Sequence, residues 1–453
     1  MKPRFSSCLI ISQALLSKQF LVFVFLMDSM ATLHSQEIKN AVARQFKFER
    51  LSVEQGLSQC TVSAIFQDSR GFLWFGTSDG LNRYDGYSFK HYKHVPGDSN
   101  SLSHNTVGAV AEDRAGMLWF GTAGGGLNKF DRRQNRFVRY FHQRDDHQSL
   151  SHSHIDAIYE DHRGTLWVGT HFGLNAFDPK TEKFMRYFHD PNDSNSLSHN
   201  AVRAIYEDRA QNLWIVTAAG LDQFYRGTNT FQHLVVTPNF EDAINTIYED
   251  HTGAFWLGMP LSGLKVFDRQ TGTVTQHYQH DPKDSTSLSA NEISAINEDA
   301  GGALWIATKR GVDRFDRAAK KFWRFRHDPQ NPASINMGTC SRLYKDRSGL
   351  LWIETDGSGL NKLDPRPAKF THFKHEPDNP NSLSKDLPKA ICEDRFGDLW
   401  IGMVWGALDR LDRRTGKVAH YRHDPNDSLS LSDDGVMRFM KIDPAIFGLA
   451  AVV

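Results

Sequence analysis

The chain has 453 residues, of which 40% are hydrophobic, so its composition is that of a folded protein with a large core and not of a disordered one. Lys plus Arg and Asp plus Glu number 53 each, and the formal net charge is zero. A neutral chain without a basic tract gives no electrostatic reason to expect nucleic acid as a partner.

The first 36 residues resemble a secretory signal peptide. Lys2, Arg4 and Lys18 precede the apolar run FLVFVFLM (Phe20 to Met27), and small residues that suit cleavage follow. The run is far shorter than the roughly 20 residues of a membrane span. Residues 1–36 therefore predict export to the periplasm, with an uncleaved anchor as the alternative.

From residue 46 onward, one sequence unit recurs eight times. The segment DSRGFLWFGTSDGLNRYD begins at Asp68 and returns in similar form at Asp113, Asp161 and Asp346. The units are spaced 42 to 49 residues apart, as counted between their tryptophans, Trp74, Trp119, Trp167, Trp214, Trp256, Trp305, Trp352 and Trp400. A repeat of this length, rich in turn residues and without a long amphipathic helix, is typical of a β-propeller.

Each unit predicts four short strands. In unit four, AVRAIYED and LWIVT are strands one and two, and the stretches of type GLNRYD and FKHYKH in unit one represent strands three and four. Asp at the first position and Gly at the fourth of the turn between strands one and two favour a type I turn, although unit four has Gln211 in place of Gly. The tryptophan is predicted to pack between adjacent blades. The most frequent residues are therefore structural.

A His-Asp-Pro motif also recurs, but only once per unit, beginning at His189, His280, His327 and His423. Residues at separate points of a ring cannot converge on one metal ion, so the motif is interpreted as a turn. Cys60, Cys340 and Cys392 remain after the predicted signal and form no CxxC motif, which indicates free thiols, mostly buried. The sequence thus predicts no metal site, no cofactor and no catalytic set.

The predicted fold is an all-β propeller of four-stranded antiparallel blades with eight repeat units. FKFERLS (Phe46 to Ser52) resembles a fourth strand and is expected to pair with a late blade and close the ring. Two architectures remain open, a seven-bladed ring with an extra unit or a closed eight-bladed ring. The predicted domains are a signal peptide at 1–36, the propeller at 37–432 and a C-terminal tail at 433–453.

The blade motif D-x-x-G-x-L-W-x-G-T followed by G-L-N-x-x-D resembles the two-component regulator propeller. This is the extracytoplasmic sensor region of bacterial hybrid two-component systems and related signalling proteins. The resemblance covers about Phe46 to Ser432. It implies a parent with two seven-bladed propellers, a β-sandwich, a membrane span and an output module such as a histidine kinase or a nucleotide cyclase. Many members sense oligosaccharides, and family habit favours seven blades.

The chain departs from that plan after the eighth unit. A ninth unit begins at SLSLSDDGVMRFMKID and continues as PAIFGLAAVV, and no kinase segment is recognisable. The interpretation is a truncated or frame-shifted sensor, or one partner of a split gene, with 433–453 as a truncated or aberrant tail. Membrane attachment is expected only through a missing C-terminal span or an uncleaved signal.

Function is expected where the units differ, on the loops around the channel mouth. Aromatic rings beside charged groups suit a sugar, because rings stack on its faces while polar groups bond its hydroxyls. The candidate ligand-binding residues are Asp79, Phe172, Arg310, Asp356 and Trp405.

The predicted function is a ligand-sensing or interaction propeller without its own kinase. Its expected partners are a small molecule such as an oligosaccharide and a signalling protein or a second copy of the chain. The alternatives are a secreted glycosidase or lyase and a non-functional gene fragment. The regular spacing of the units favours the sensor, because propeller enzymes usually interrupt their blades with long insertions. A glycosidase would also need paired carboxylates, and nothing in the sequence pairs Asp79, Glu292 and Asp356.

Overall fold

The computed structural model describes residues 46–234, 236, 242–366, 373–443 and 446–451, with only the backbone from residue 440 onward. The predicted signal peptide lies outside these residues. The chain forms two compact units that divide after residue 366.

The first unit begins with a short strand and a single 3-10 turn. These are β1 (Phe48–Leu51) and the turn Val53–Gln55, which Ser52 and Gln55 cap through reciprocal side chain to backbone hydrogen bonds. Six blades follow, each with four antiparallel strands in chain order. Blades 1 to 3 consist of β2 (Val62–Gln67), β3 (Leu73–Thr77), β4 (Gly80–Tyr84), β5 (Phe89–Tyr92), β6 (Val107–Glu112), β7 (Leu118–Thr122), β8 (Leu127–Asp131), β9 (Arg136–Tyr140), β10 (Ile155–Glu160), β11 (Leu166–Thr170), β12 (Gly173–Asp178) and β13 (Lys183–Tyr187).

The next three blades repeat this order. Blades 4 to 6 consist of β14 (Val202–Glu207), β15 (Leu213–Thr217), β16 (Leu221–Tyr225), β17 (Thr230–Leu234), β18 (Thr246–Glu249), β19 (Phe255–Gly258), β20 (Leu264–Asp268), β21 (Thr273–Tyr278), β22 (Ile293–Glu298), β23 (Leu304–Thr308), β24 (Gly311–Asp316) and β25 (Lys321–Phe325). Blade 7 takes only three strands from its own unit, β26 (Cys340–Lys345), β27 (Leu351–Thr355) and β28 (Gly359–Leu363).

The fourth strand of blade 7 is β1, which closes the ring at seven blades. It pairs antiparallel with β28, so that Phe48 lies opposite Leu363 and Leu51 opposite Leu360. Arg50 donates to the carbonyl of Ser334 at 3.0 Å, just as Arg139 of the outer strand β9 donates to the carbonyl of Ser101. The predicted closing strand is therefore confirmed, and the seven-bladed alternative is the correct one.

Seven hydrophobic clusters, one between each pair of neighbouring blades, hold the ring together. Trp74 of blade 1 packs on Phe120 and Phe130 of blade 2, with ring centroids 5.3 and 5.8 Å apart. The cluster at the ring closure contains the equivalent contact, since Trp352 of blade 7 packs on Phe75 of blade 1 with ring centroids 5.5 Å apart. The prediction that the tryptophans lie between blades is correct.

The aspartate of the turn between the first two strands bonds both to the turn backbone and to the tryptophan that packs between blades. In blade 1, Asp68 Oδ1 accepts the backbone N–H groups of Arg70 and Phe72, and the Gly71 N–H bonds the Asp68 carbonyl at 2.9 Å. Gln211, which replaces the glycine in unit four, adopts a φ of 67° there. In all eight units Asp Oδ2 accepts the tryptophan Nε1–H at 2.6 to 2.9 Å. The repeated aspartate therefore orients the ring that separates the blades.

The second unit contains the eighth repeat. It forms one four-stranded antiparallel sheet followed by a two-stranded one. Their strands are β29 (Pro388–Glu393), β30 (Leu399–Met403), β31 (Leu408–Leu411), β32 (Val418–Tyr421), β33 (Val436–Asp443) and β34 (Ile446–Ala451). None of the described segments forms a helix of the length and apolarity that a bilayer crossing requires.

Candidate functional site

One position of the inner strands differs in size and charge among the blades, while the residues on either side of it vary less. The inner strand of each blade has an apolar residue, a variable residue and then, in most blades, alanine. In blades 1 to 4, 6 and 7 the register shifts across the variable residue, which is the extra residue of a β-bulge. Bulges re-aim a side chain out of the regular pleat. The seven variable residues are Ser63, Gly108, Asp156, Arg203, Asn245, Ser294 and Ser341.

All seven variable residues line a single cavity of about 710 Å³. Because each comes from a different blade, this cavity is the central channel of the ring. Its lining combines hydroxyl, amide, carboxylate and guanidinium groups with histidine rings. The volume lies in the range of small-molecule sites.

A second set of variable residues forms the mouth of this channel. It pairs the residue before the inner strand with the first residue of the loop between strands two and three, and a backbone hydrogen bond joins the two in blades 2, 3, 4, 6 and 7. In blade 3 the His171 N–H donates to the His154 carbonyl at 3.2 Å, and in blade 6 the Lys309 N–H donates to that of Glu292 at 3.3 Å. We call these two residues of each blade the mouth pair.

Blade 3 brings both histidines of its mouth pair against its own channel residue. The rings of His154 and His171 stack with centroids 3.6 Å apart and planes 14° from parallel. The Nε2 atoms lie 3.5 Å (His154) and 3.1 Å (His171) from the two carboxylate oxygens of Asp156. All three side chains are partly exposed, at 32% for His154, 28% for Asp156 and 52% for His171. They therefore face solvent in the channel mouth.

Burial acts in opposite directions on the members of this cluster. It raises the pKa of Asp156, although His171 and His154 each act to lower it. It lowers the pKa of His154, although Asp156 acts to raise it. Arg203, on the next blade, also acts to lower the pKa of Asp156, but it forms no ion pair with any described residue. Its exposed guanidinium is therefore available to a ligand in the channel.

Blade 7 carries a charged pair where the other blades have small residues. Arg342 on β26 lies opposite Glu354 on β27, at positions held by Ala64 and Gly76 in blade 1. The Arg342 Nε–H donates to the Ser63 carbonyl across the ring closure at 2.7 Å. Glu354 is fully buried, accepts a hydrogen bond from the channel residue Ser341, and leaves its Oε1 without a partner. Burial raises the pKa of Glu354 to about 7.

A second cavity, of about 500 Å³, lies between blades 4 and 5. Its polar groups are already engaged with one another, because Asp208 Oδ2 accepts from Trp214 at 2.9 Å and from Arg269 at 2.8 Å. The channel mouth is therefore the stronger candidate site.

The loop residues predicted from sequence do not line the channel cavity. Asp79 forms an ion pair with Lys93 at 2.5 Å, and Phe172 contacts Phe188 with ring centroids 5.7 Å apart. Each is the second residue of its loop, and its contact follows the outer strand of the same blade. The first loop residue, such as His171, faces the channel instead.

The other three candidates are equally separate from the cavity lining. Arg310 follows Lys309 as a second loop residue and is exposed. Asp356 belongs to the mouth pair of blade 7, where its N–H donates to the Thr339 carbonyl at 2.9 Å. Trp405 is 74% exposed and lies in the second compact unit. No contact of these residues identifies a ligand.

Sequence reasoning missed Asp156, Arg203 and Arg342, because these residues lie on inner strands and ligand binding was expected on the loops. The signal was present: within strands that otherwise repeat, one position changes in charge and size from unit to unit. The sequence places His154 on an entry loop and His171 on a loop between strands two and three, at the same end of the blade, but sequence reasoning did not combine them with Asp156. The His-Asp-Pro motif, in contrast, is a turn as predicted. His189 Nδ1 is hydrogen-bonded to the Leu197 carbonyl at 2.7 Å, and the Asp190 N–H donates to Ser196 Oγ.

The fold and the channel define the class of this protein as a seven-bladed β-propeller with a polar channel mouth. Four segments, 56–79, 101–124, 149–172 and 196–219, match the two component regulator propeller. A 57-residue stretch is 49% identical to the histidine kinase P4 of Formosa agariphila, covering 13% of this chain and 4% of that protein. These matches confirm the resemblance inferred from the repeat motif.

Solved structures agree with this assignment. The chain is similar to the extracellular domain of the putative hybrid two component system BT3049 from B. thetaiotaomicron, with 27% identity, a TM-score of 0.67 and coverage of 90% of this chain. It spans about half, 52%, of that structure. It is also similar in fold alone to a virginiamycin B lyase from Staphylococcus aureus, with 13% identity, a TM-score of 0.53 and coverage of 71% of this chain and 100% of the lyase.

Proposed function

We propose that the chain is the exported ligand-sensing region of a two-component signalling system, and that a small polar ligand such as an oligosaccharide binds in the channel mouth. One observation carries the proposal. The seven blades repeat their turns, tryptophans and most of their apolar residues, yet the seven residues that they contribute to one shared cavity are of five different types. A concave polar surface whose residues differ between blades suits recognition of a ligand, because the fold itself does not need these residues.

The chemistry of the cavity suits a ligand with many hydroxyl groups. Ser294 offers a hydroxyl group. The hydroxyls of Ser63 and Ser341 and the amide nitrogen of Asn245 donate to Val107, Glu354 and Ile293, so these three residues offer their oxygen atoms as acceptors. Arg203 and Asp156 add a donor and an acceptor that carry charge, which form stronger hydrogen bonds than neutral groups. Signal transmission would require a partner protein or a second copy of the chain.

An enzymatic function has less support. Hydrolysis of a glycosidic bond uses two carboxyl groups on opposite sides of the bond. Among the lining residues of the cavity, Asp156 is the one carboxylate, and it is engaged with His154 and His171. The lyase in the comparison shares the fold at 13% identity, which carries no chemistry to this chain.

The test is a thermal-shift screen of the protein against a panel of oligosaccharides, run with a chelator present, with reaction products assayed in the same wells. A ligand that binds only the native state raises the melting temperature by mass action. We expect at least one saccharide to raise it without yielding a product. Product formation would overturn the proposal in favour of an enzyme.

Paired variants locate the site of any ligand found. Arg203→Ala removes the unpaired guanidinium of the channel, whereas Arg310→Ala and Trp405→Ala remove exposed groups outside the cavity. We expect the shift to disappear in the first variant and to remain in the other two. The reverse pattern would place recognition on the loops and contradict the channel site.

A further inference from the structure

We propose that His154, Asp156 and His171 form a binding site for a divalent transition-metal ion of the Zn²⁺ class at the channel mouth. The donor set, two imidazoles and one carboxylate, is one that such ions take in proteins. The proposal does not depend on the signalling function or on a saccharide ligand.

The spacing of the three donor groups supports the assignment. Bonds of about 2.0–2.1 Å at tetrahedral angles put neighbouring ligand atoms about 3.3 Å apart. The Asp156 oxygens lie 3.1 Å from His171 Nε2 and 3.5 Å from His154 Nε2, on either side of this value. The ligand atoms of all three residues lie within 4.8 Å of one another. Among the residues that the structure describes, this is the one group of three that meets this criterion.

Backbone contacts fix the positions of the three residues. The hydrogen bond from the His171 N–H to the His154 carbonyl joins the two histidines, and Asp156 follows in the same inner strand. Residue 154 also forms a β-bridge with Ala123 of blade 2. The rings themselves are stacked, so they must rotate apart for both Nε2 lone pairs to point at one ion. His171 is 52% exposed, which leaves room for this rotation.

Three protein ligands leave a fourth position open toward the cavity. Catalytic and ligand-binding metal sites keep such a position for water or a substrate atom, whereas structural sites are closed. A bound ion would therefore offer a Lewis acid to an oxygen atom of whatever occupies the channel. No chemical step on that ligand is implied.

The other blades show that the fold does not require this cluster. The mouth pair of blade 6 is Glu292 and Lys309, which form an ordinary ion pair at 3.2 Å. The mouth pair of blade 4 is Ala201 and Ala218, joined by the same backbone hydrogen bond. Blade 3 thus combines two histidines with an aspartate at positions where its neighbours carry non-ligating residues.

The experiment is isothermal titration of the untagged, chelator-treated protein with Zn²⁺, together with absorption spectroscopy in Co²⁺. Three variants remove one ligand each by installing a residue found at the same position of another blade. These are His154→Ala as in Ala201, His171→Ala as in Ala123 and Asp156→Ser as in Ser63. Because other blades accept these residues, we expect all three variants to melt as the parent protein does.

We expect the parent protein to bind one equivalent of Zn²⁺ and each variant to bind it at least ~10-fold more weakly, since the loss of groups that support a metal site already costs about that much. His199→Ala is the matched control: it removes a histidine that precedes the inner strand of blade 4 but is not part of the cluster, and its affinity should equal that of the parent. The Co²⁺ spectrum of the parent should show ligand-field bands of a tetrahedral site.

Two results would overturn the proposal. One is a parent protein that binds no ion and gives no Co²⁺ bands. The other is equal affinity in His171→Ala and the parent, which would assign binding to other histidines of the chain. Because the saccharide screen is run with a chelator, failure of the metal site and failure of the sensing function give separate outcomes.

Discussion

At the scale of single residues, the third strand of every blade except blade 5 carries a buried amide or carboxyl group, and blade 5 has Lys265 at this position. In blade 1, Asn82 accepts from the Ser58 N–H and donates to the Phe75 carbonyl. In blade 6 the same position is Asp313, which accepts from the Ser289 N–H but leaves Oδ1 without a partner. Burial raises the pKa of Asp313 to about 6. A proton on Asp313 Oδ1 would give blade 6 the hydrogen-bond donor that the Asn82 amide gives blade 1.

Asp313→Asn should therefore stabilise the ring in a pH-dependent way. The folded state disfavours the charged carboxylate, so the stability of the parent falls as pH rises from the unfolded pKa near 4 to about 6. We expect the variant to gain about 3 kcal/mol at pH 8, since each of the roughly two pKa units corresponds to about 1.4 kcal/mol, and nearly nothing at pH 4. Denaturant unfolding at both pH values measures this gain. An equal effect at the two pH values would show that Asp313 is not protonated in the fold.

The charged pair of blade 7 is a second residue-scale feature with a measurable energy. Arg342 bonds across the ring closure and lies opposite the buried Glu354, so removal of either leaves the other in a site adapted to both. Arg342→Ala should cost about 1–3 kcal/mol, because it removes the charged hydrogen bond to the Ser63 carbonyl and the attraction that Arg342 exerts on the Glu354 carboxylate.

The double variant Arg342→Ala with Glu354→Ala reproduces the Ala295 and Ala307 pair of blade 6. We expect it to recover part of that loss, with a coupling energy of about 0.5–3 kcal/mol in a denaturation cycle. Simple additivity of the two single variants would mean that the residues do not interact.

At the scale of elements, the interface between two blades depends on one tryptophan from the first blade and aromatic residues from the second. Trp352 is 1% exposed and holds the closure between blades 7 and 1. Trp400, in the eighth repeat, has the same bond to its turn aspartate but is only partly buried. The same sequence motif therefore supports different amounts of packing.

Trp352→Ala should destabilise the ring by about 3–5 kcal/mol, the usual cost of a large cavity in a core. Trp400→Ala should leave the unfolding transition of the ring unchanged, because no hydrophobic cluster of the ring includes it. Differential scanning calorimetry of both variants compares the two effects. Equal destabilisation would contradict the assignment of the two tryptophans to separate cores.

At the scale of the whole molecule, the ring is complete within the first compact unit. Its seven clusters draw on residues from Phe46 to Leu363, while the cluster of the eighth repeat draws on residues from Leu383 to Val418. The ring needs β1 to supply its last strand, and it needs no residue of the second unit to do so.

A chain that ends at residue 366 should therefore retain the ring transition of the full chain. Calorimetry of the shortened protein should show the same melting temperature for that transition, and a shift of more than a few degrees would indicate that the second unit stabilises the ring. Removal of residues 46–51 is the matched control, and it should lower the melting temperature strongly because it leaves blade 7 with three strands.

Local signals in the sequence are sufficient to predict the four-stranded blade and the strand that closes the ring. The spacing of the tryptophans, the Asp–Gly turns and the strand-like stretch at Phe46 to Ser52 were sufficient to predict four-stranded blades and a closing strand. Each of these signals is local: turn chemistry and apolar alternation act within about 20 residues, and the repeat shows them eight times. The His-Asp-Pro motif is also a local signal, and its prediction as a turn is correct for the same reason.

The number of blades and the position of the site depend instead on contacts between residues that are distant in sequence. Whether the ring has seven or eight blades depends on which late strand pairs with β1. That pairing joins Phe48 to Leu363, and no local sequence pattern specifies it. The site depends on which side chains a bulge turns toward the channel and on which of two adjacent loop residues faces inward. His154 and His171 are 17 positions apart in sequence, yet their rings stack at 3.6 Å because two antiparallel strands return the chain to the same end of the blade.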